Sequence, residues 1–426
     1  MKRYNHDKFQ ETYYEEVLEN GLRVVIWQKA DFANSQFIFA TPYGALDYLQ
    51  TTNNGELKVF PSGIAHFLEH KMFEMPDGDV MEKFSNLGAN VNAFTSYNET
   101  MYYFSSTKKE LSTEINLLLD FVQDLKITPE SVEKEKGIII QELNMYLQMP
   151  ESRLIFETFK SLYHNHPLHM DIGGNAETVS STTYADLMSC HQLNYHPSKM
   201  IFFAATALDP QLIIDIVKDN QTSKNFEAFL PVKRFCEEEP IEVKRTMWSL
   251  PMDISNEKTS ISYKLNSMSS DVRERSKVEW CLRFLLESHF STLNPQYQTW
   301  LDEDLINDFF GYEIDLGVDY GFLIFYGEAQ NEKFSDFIRT EINNLKTNIV
   351  SASKIEQIKR RLFGSSMRVF NGTENIGFTF IRNYFNGLDI FETLEIIDEI
   401  TVDEVINAYE NLDFSFQSIT IISPEN

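Results

Sequence analysis

Cysteine is scarce in this chain: three in 426 residues, Cys190, Cys236 and Cys281, odd in number and widely spaced. That excludes a disulfide framework and an all-cysteine zinc site and predicts reduced core thiols, while a cytoplasmic location is the default expectation because no targeting signal is found. Positive charge is also short, with 37 Lys and Arg against 64 Asp and Glu and a net charge of −27. Phosphate recognition needs a basic face, so a general nucleic-acid binder is excluded. An acidic surface is compatible with attracting basic peptides, although ordinary solubility explains it equally well. No apolar run reaches the ~18–20 residues of a membrane span. The start, Met1 to Asp7, leads into polar residues, with none of the apolar core of a secretory signal. Neither a G-x-x-x-x-G-K-[ST] loop nor a dinucleotide fingerprint is found. What remains is a globular composition, 42% hydrophobic and 13% aromatic, in a chain long enough for two domains.

Within this background stands His66-Phe67-Leu68-Glu69-His70, an H-x-x-E-H string in an apolar run from Gly63 to Phe73. On a helix, His66 and His70 are four apart and leave the same face. Glu69 lies next to His70 and one turn from His66, so it can reach a water at a shared metal without being a ligand. Zinc in such a site acidifies water, and a nearby carboxylate can take its proton. Ser62 is placed to cap the helix. Two histidines four apart on an apolar helix are also compatible with plain packing, and a zinc hydrolase needs a third protein ligand.

The best candidate for that ligand is Glu142. The segment from Thr128-Pro129-Glu130 to Tyr146 reads as a helix with Thr128 as N-cap and proline in the first turn. Glu135 and Glu142 are two turns apart and share a face, with Ile138 and Ile139 on or near it. Carboxylates on a partly buried face need partners, which a metal and its histidines would supply. A solvated, charge-rich helix is the alternative.

Together with Leu87-Gly88-Ala89-Asn90-Val91-Asn92-Ala93-Phe94-Thr95-Ser96, these motifs make the chain resemble, nearly end to end, the inverzincin peptidases. These are the pitrilysin, insulysin and mitochondrial processing peptidase family, here in its short bacterial YmfH-like branch. The resemblance implies Zn²⁺ held by His66, His70 and Glu142. It implies a catalytic pair of Glu69 as general base and Glu135 supporting the site through a ligand. It also implies an exposed edge strand at Asn92, Ala93 and Phe94 that takes the substrate peptide as a further strand. A core strand is the alternative, since alternation separates Val91, Ala93 and Thr95 from Asn92 and Phe94.

Elements along the chain follow from pattern. Strands are expected at Tyr13–Leu18 and Leu22–Trp27 around the Asn20-Gly21 turn, then at Gln36–Thr41. Helices are expected at 62–73 and 79–87, then a hairpin from Val91–Ser96 to Thr100–Ser106. Helices follow at 109–125, 129–147 and 182–194, and a buried strand at Met200–Ala207. The segment from Thr183 to Phe203 resembles that from Thr401 to Ile422, and Leu285-Leu286-Glu287-Ser288 echoes Phe67 to His70. In that second copy Phe284 and Ser288 stand where histidines would be. The reading is therefore α+β: two homologous sandwich halves, 1–225 with the zinc site and 226–426 degenerate. Each half has a mainly antiparallel sheet with helices on one face, joined through an extended stretch in 220–242.

His164, His166 and His169 cluster around Pro167; a second metal site is the alternative, but no acidic residue has helical spacing with them, and they read as a structural turn. His191 and His196 bracket a helix end, and His289 lies in the degenerate half. One departure from the resemblance matters. Relatives carry an arginine and a tyrosine in the second half that hold substrate and stabilise its oxyanion. The stretch Tyr297 to Tyr312 has no arginine, and phenylalanine where that tyrosine is expected. The expectation is a zinc endopeptidase subunit acting on unfolded peptides, completed by a second two-half subunit, either an inactive relative or a second copy. Neither nucleic acid nor membrane is expected as a partner. The rival readings are a non-catalytic scaffold subunit, disfavoured by the intact motif, and a zinc amidase, disfavoured by the edge-strand motif.

Overall fold

The computed structural model describes every residue except 77, 267–268, 346–350 and 426. The fold is α+β, in two compact units. The first is built from Met1–Leu143, Asp171–Phe235 and Val369–Phe385, the second from Asn144–Met170, Cys236–Arg368 and Asn386–Asn426.

The first unit is organised on a seven-stranded sheet. Its strands run in the order Lys2–His6, Glu11–Val17, Arg23–Gln28, Ile201–Thr206, Ser35–Thr41, Thr100–Ser106, Asn90–Thr95. Neighbours are antiparallel except the Arg23–Gln28 and Ile201–Thr206 pair. The two central strands Ile201–Thr206 and Ser35–Thr41 are buried along their whole length, which fits their near-continuous apolar sequence. On one face Val24, Phe37, Tyr102 and Phe202 share a core with Phe67 and Leu68 of the helix Ile64–Met72 and with Leu118 of Ser112–Gln123.

The opposite face is covered by a helix from far downstream, Thr373–Phe385. Its Phe380 packs on Trp27 and Phe203 at ring-centroid distances of 5.8 and 5.4 Å. Gly377 permits this approach: a Cβ there would stand 2.3 Å from Ile38 Cδ1.

The second unit has a five-stranded sheet in the order Met247–Met252, Gln417–Pro424, Lys258–Lys264, Gly321–Gly327, Gly311–Leu316, antiparallel except for the first pair. The helices Val272–Phe290, Asn331–Leu345, Ala352–Met367 and Val402–Glu410 join one core through Phe284, Ile338, Ile358 and Val405. The other face takes the helix Pro150–Leu162, with Phe159 against Phe322 at 5.0 Å and Thr158 Oγ1 bonded to Ser260 Oγ at 2.9 Å. Among the described residues, each sheet thus has its main helical layer on one face and, on the other, a helix from the other half of the sequence. The pattern reading leaves both of these helices unassigned.

Three local expectations are corrected. Ser62 does not cap the motif helix. Its N-cap is Gly63, in the left-handed region at φ 86° and without a side-chain cap. Glycine is required there because a Cβ would lie 2.2 Å from the Gly173 carbonyl oxygen. Ile138 points outward at 48% exposure, whereas Ile139 is fully buried, so of these two only Ile139 helps to anchor the glutamate helix. Finally, the 220–242 stretch is partly structured: Val232–Arg234 pairs antiparallel with Leu49–Thr52 in the first unit.

Candidate metal centre

The site lies in the first unit, where two helices meet. Ile64–Met72 buries Ile64, Ala65, Phe67, Leu68 and Met72 in the core, which turns His66, Glu69 and His70 to the opposite, half-buried side. The second helix, Pro129–Leu147, starts as expected, with Thr128 Oγ1 accepting from the Ser131 N–H at 3.1 Å. Val132, Ile139 and Leu143 anchor it and present Glu135 and Glu142 to the histidines.

His70 Nε2 and His66 Nε2 lie 3.3 and 3.9 Å from Glu142 Oε2, and one donor atom from each of the three residues falls within 4.8 Å of the others. Tetrahedral zinc at ~2.0–2.1 Å from its ligands places neighbouring donors roughly 3.3 Å apart, so the spacing and the N, N, O donor chemistry fit such an ion. The other nitrogen of His70, Nδ1, meets Glu135 Oε1 at 3.2 Å. A proton on Nδ1 shared with Glu135 leaves the Nε2 lone pair facing the shared centre. Glu135 is held in turn by Lys71, whose buried ammonium lies 3.5 Å from Oε2, also reaches the Ser131 carbonyl at 3.3 Å, and pairs with Glu74.

The electrostatics follow from burial and from the crowding of imidazoles and carboxylates. Burial, then the neighbouring His70, pulls His66 down to about 4, so its imidazole is neutral. Burial also disfavours the charged form of His70, but Glu135, Glu69 and Glu142 outweigh it and raise the imidazole. Glu135 is lowered by its hydrogen bond to His70, against burial and with help from Lys71. Glu69 is pushed up, chiefly by burial, although the Thr95 hydroxyl donates to Oε2 at 2.8 Å. A divalent cation held there would offset the negative charge that Glu69, Glu135 and Glu142 bring to the cluster.

Asn90–Thr95 is the terminal strand of its sheet and, among the described residues, is paired only with Thr100–Ser106. Thr95 faces Glu69, so alternation puts Ala93 and Val91 on that side and Asn92 and Phe94 on the other. The Phe94 ring packs with Phe378 at 5.3 Å and with Tyr103 at 6.2 Å, under the Arg382 guanidinium. Asn92 Oδ1 accepts from the Ala93 N–H at 2.9 Å.

Three contributors escaped the sequence reading. Thr95 was inside a quoted motif but had no role until its hydroxyl was seen on Glu69. Lys71 gave no signal, since a lysine in the last turn of a helix is unremarkable by pattern. Gly173 touches the site through space: a Cβ there would meet Leu143 Cδ2 at 2.7 Å and His66 Nδ1 at 3.3 Å. The Gly173-Gly174 pair was the available hint. His191 and His196 are used locally, with their Nε2 atoms 3.1 Å from the Val122 and Glu227 carbonyls. His289 pairs with Glu341 at 2.7 Å.

Two α+β units and an H-x-x-E-H helix facing a glutamate helix define the M16 type of metallopeptidase fold. The chain belongs to the insulinase (M16) peptidase family: residues 61–175 match the model of that family and residues 181–362 match the M16 inactive domain. It is 33% identical over 414 residues to the uncharacterised zinc protease YmfH of Bacillus subtilis, covering 96% of each chain. It is 25% identical over 385 residues to the mitochondrial-processing peptidase subunit beta of Dictyostelium discoideum, covering 81% of this chain and 76% of that one. A crystal structure of an M16-like peptidase from Alicyclobacillus acidocaldarius superposes with a TM-score of 0.92 at 27% identity, over 97% of this chain and 99% of the other. Among the described residues no helix is long and apolar enough to cross a membrane.

Proposed function

We propose that the chain is the catalytic subunit of a zinc-dependent endopeptidase acting on unfolded peptides. His66, His70 and Glu142 hold the metal, Glu69 is the general base, and Glu135 is a positioning residue acting through His70. The observation that carries the reading is the 2.8 Å hydrogen bond from Thr95 to Glu69, which ties an open sheet edge to the carboxylate beside the converging donors. Bound zinc supplies Lewis acidity toward a water and toward the scissile carbonyl. Glu69 takes the proton from the attacking water and returns it to the leaving amine. Its raised affinity for a proton suits both transfers.

The peptide binds as an added strand on Asn90–Thr95, running along Asn92, Ala93 and Phe94 and held by main-chain hydrogen bonds. The Asn92 side chain must swing off the Ala93 N–H before an incoming strand can use that donor. Thr95→Val should lower kcat roughly tenfold with metal content unchanged, the scale of one hydrogen bond to a charged group. Steady-state kinetics with metal analysis checks this, and an unchanged kcat would detach the strand from the base.

The proposal extends to assembly. The stretch Tyr297 to Tyr312 offers no arginine, and the Tyr312 hydroxyl is engaged with Glu287 Oε2 at 2.9 Å. An oxyanion donor typically contributes ~2.7–4 kcal/mol, so a second two-half subunit, more readily an inactive relative than a second copy, is expected to supply it. The halves 1–225 and 226–426 are read as duplicated units, the second without zinc donors, and the scarcity of cysteine supports a cytoplasmic setting. The test is cleavage of a fluorogenic unfolded peptide by the chain alone and mixed with a related subunit lacking the motif. Turnover should rise at least about tenfold in the mixture. Equal rates would mean that the oxyanion groups come from this chain itself, and the partner would be dropped.

A further inference from the structure

His166 was read from sequence as part of a structural turn. In the second unit its side chain is 1% exposed, and its Nε2 has no hydrogen-bond partner. A buried imidazole in a packed core normally satisfies both nitrogens, because an orphaned polar atom costs the full desolvation of that group. Here Nδ1 accepts from the Leu168 N–H at 3.2 Å, while Nε2 faces Asp319 Oδ1 at 3.6 Å, beyond hydrogen-bonding range. The other oxygen of Asp319 accepts from the Cys236 thiol at 2.6 Å. One donor atom from each of His166, Cys236 and Asp319 lies within 4.8 Å of the others.

The three side chains come from three separate segments of this unit. His166 precedes the short helical turn Pro167–His169, Cys236 follows the strand Val232–Arg234, and Asp319 lies in the turn between the strands Gly311–Leu316 and Gly321–Gly327. The imidazole is fixed before any ligand arrives. Its ring lies between Tyr163 and Tyr320, at 5.3 and 5.2 Å. The Glu239 carboxylate accepts from the N–H groups of His164, Asn165 and His166 at 2.9, 2.7 and 2.7 Å. A thiol, an imidazole and a carboxylate held this closely form a donor set of borderline softness, which suits zinc better than magnesium or calcium.

We propose that His166, Cys236 and Asp319 form a second, zinc-type metal site, three-coordinate from protein with the fourth position open to water. Loading the ion releases the Cys236 thiol proton to solvent. The imidazole stays neutral by moving its proton from Nε2 to Nδ1, which gives up the Leu168 contact. That exchange makes the site weaker than one already in its binding tautomer, and weaker than the His66, His70 and Glu142 set, where Glu135 already favours a proton on Nδ1. Nothing in this proposal depends on the chain being a peptidase.

The test is titration of the metal-free full chain with Co²⁺, followed by absorbance and by metal counting after gel filtration. The first site has no sulfur, so a thiolate-to-cobalt charge-transfer band reports the second site alone. Wild type should bind two equivalents and show the band, with one proton released on filling the sulfur site. His70→Ala should lose one equivalent and keep the band. Cys236→Ser should keep one equivalent and lose the band, and His166→Gln should weaken the band's appearance at least tenfold in Co²⁺ concentration. Circular dichroism of Cys236→Ser, a one-atom change, guards against misreading an unfolded variant. Binding of a single equivalent without the band, two equivalents without the band, or a band that survives in Cys236→Ser would each overturn the proposal.

Discussion

Glu69→Gln is expected to retain its metal and to lose peptide hydrolysis by about 10²- to 10⁴-fold, the range that one positioned acid–base group contributes. The glutamine keeps the shape of the side chain and can still accept from the Thr95 hydroxyl, which now lies 2.8 Å from Oε2. It cannot take a proton from water. Nor is Glu69 one of the three residues whose donor atoms converge, so the ion stays. The loss should fall on kcat, with KM little changed, because the strand that holds the peptide is untouched. Metal analysis beside steady-state kinetics separates the outcomes. Near-normal turnover would remove Glu69 from the chemistry, and loss of the ion would make it a ligand. If the wild-type chain binds zinc but cleaves no peptide alone or in any pairing, the scaffold-subunit reading takes its place.

His70→Ala is expected to abolish stoichiometric zinc at the first site, and Glu142→Ala to weaken it by orders of magnitude. The two differ in what they leave behind. Without His70, Glu135 loses its 3.2 Å partner and keeps only Lys71, so the cluster holds three carboxylates with one cation among them. Without Glu142, both imidazoles still converge and a weak two-histidine site survives. Glu135→Ala should be milder, about 10- to 100-fold in affinity, as is typical when a group orienting a ligand is removed. Competition against a zinc-binding dye gives the three affinities in one series. Full occupancy in Glu142→Ala would show that the third donor is another residue, and an unchanged affinity in Glu135→Ala would reduce its role to local packing.

The candidate metal centre was largely legible in the sequence because its geometry is set by helix periodicity. His66 and His70 at four apart, and Glu135 and Glu142 at seven, must share faces once the segments are helical, and flanking apolar residues decide which face is buried. The strand itself was legible by period-two alternation, which puts Thr95 and Phe94 on opposite sides, whereas its place at the sheet edge followed only from the family resemblance. The element boundaries agree closely where turn chemistry is strong, as at Thr128-Pro129. They were misjudged where glycine did something only a neighbour explains, as at Gly63 against the Gly173 carbonyl.

By itself, then, the sequence determined the helices that carry the donors and the strand beside them. Local spacing and composition are enough for such features. Tertiary structure alone decided which distant segments complete each unit. The helix Thr373–Phe385 closes the first sheet and Pro150–Leu162 the second, because amphipathic helices carry no record in their own pattern of which sheet they will cover. It also decided that Thr95 holds Glu69 and that Lys71 holds Glu135. Most clearly, it brought His166, Cys236 and Asp319 together from three segments of the chain. No periodicity links residues so far apart, and only the packing of the second unit makes them neighbours.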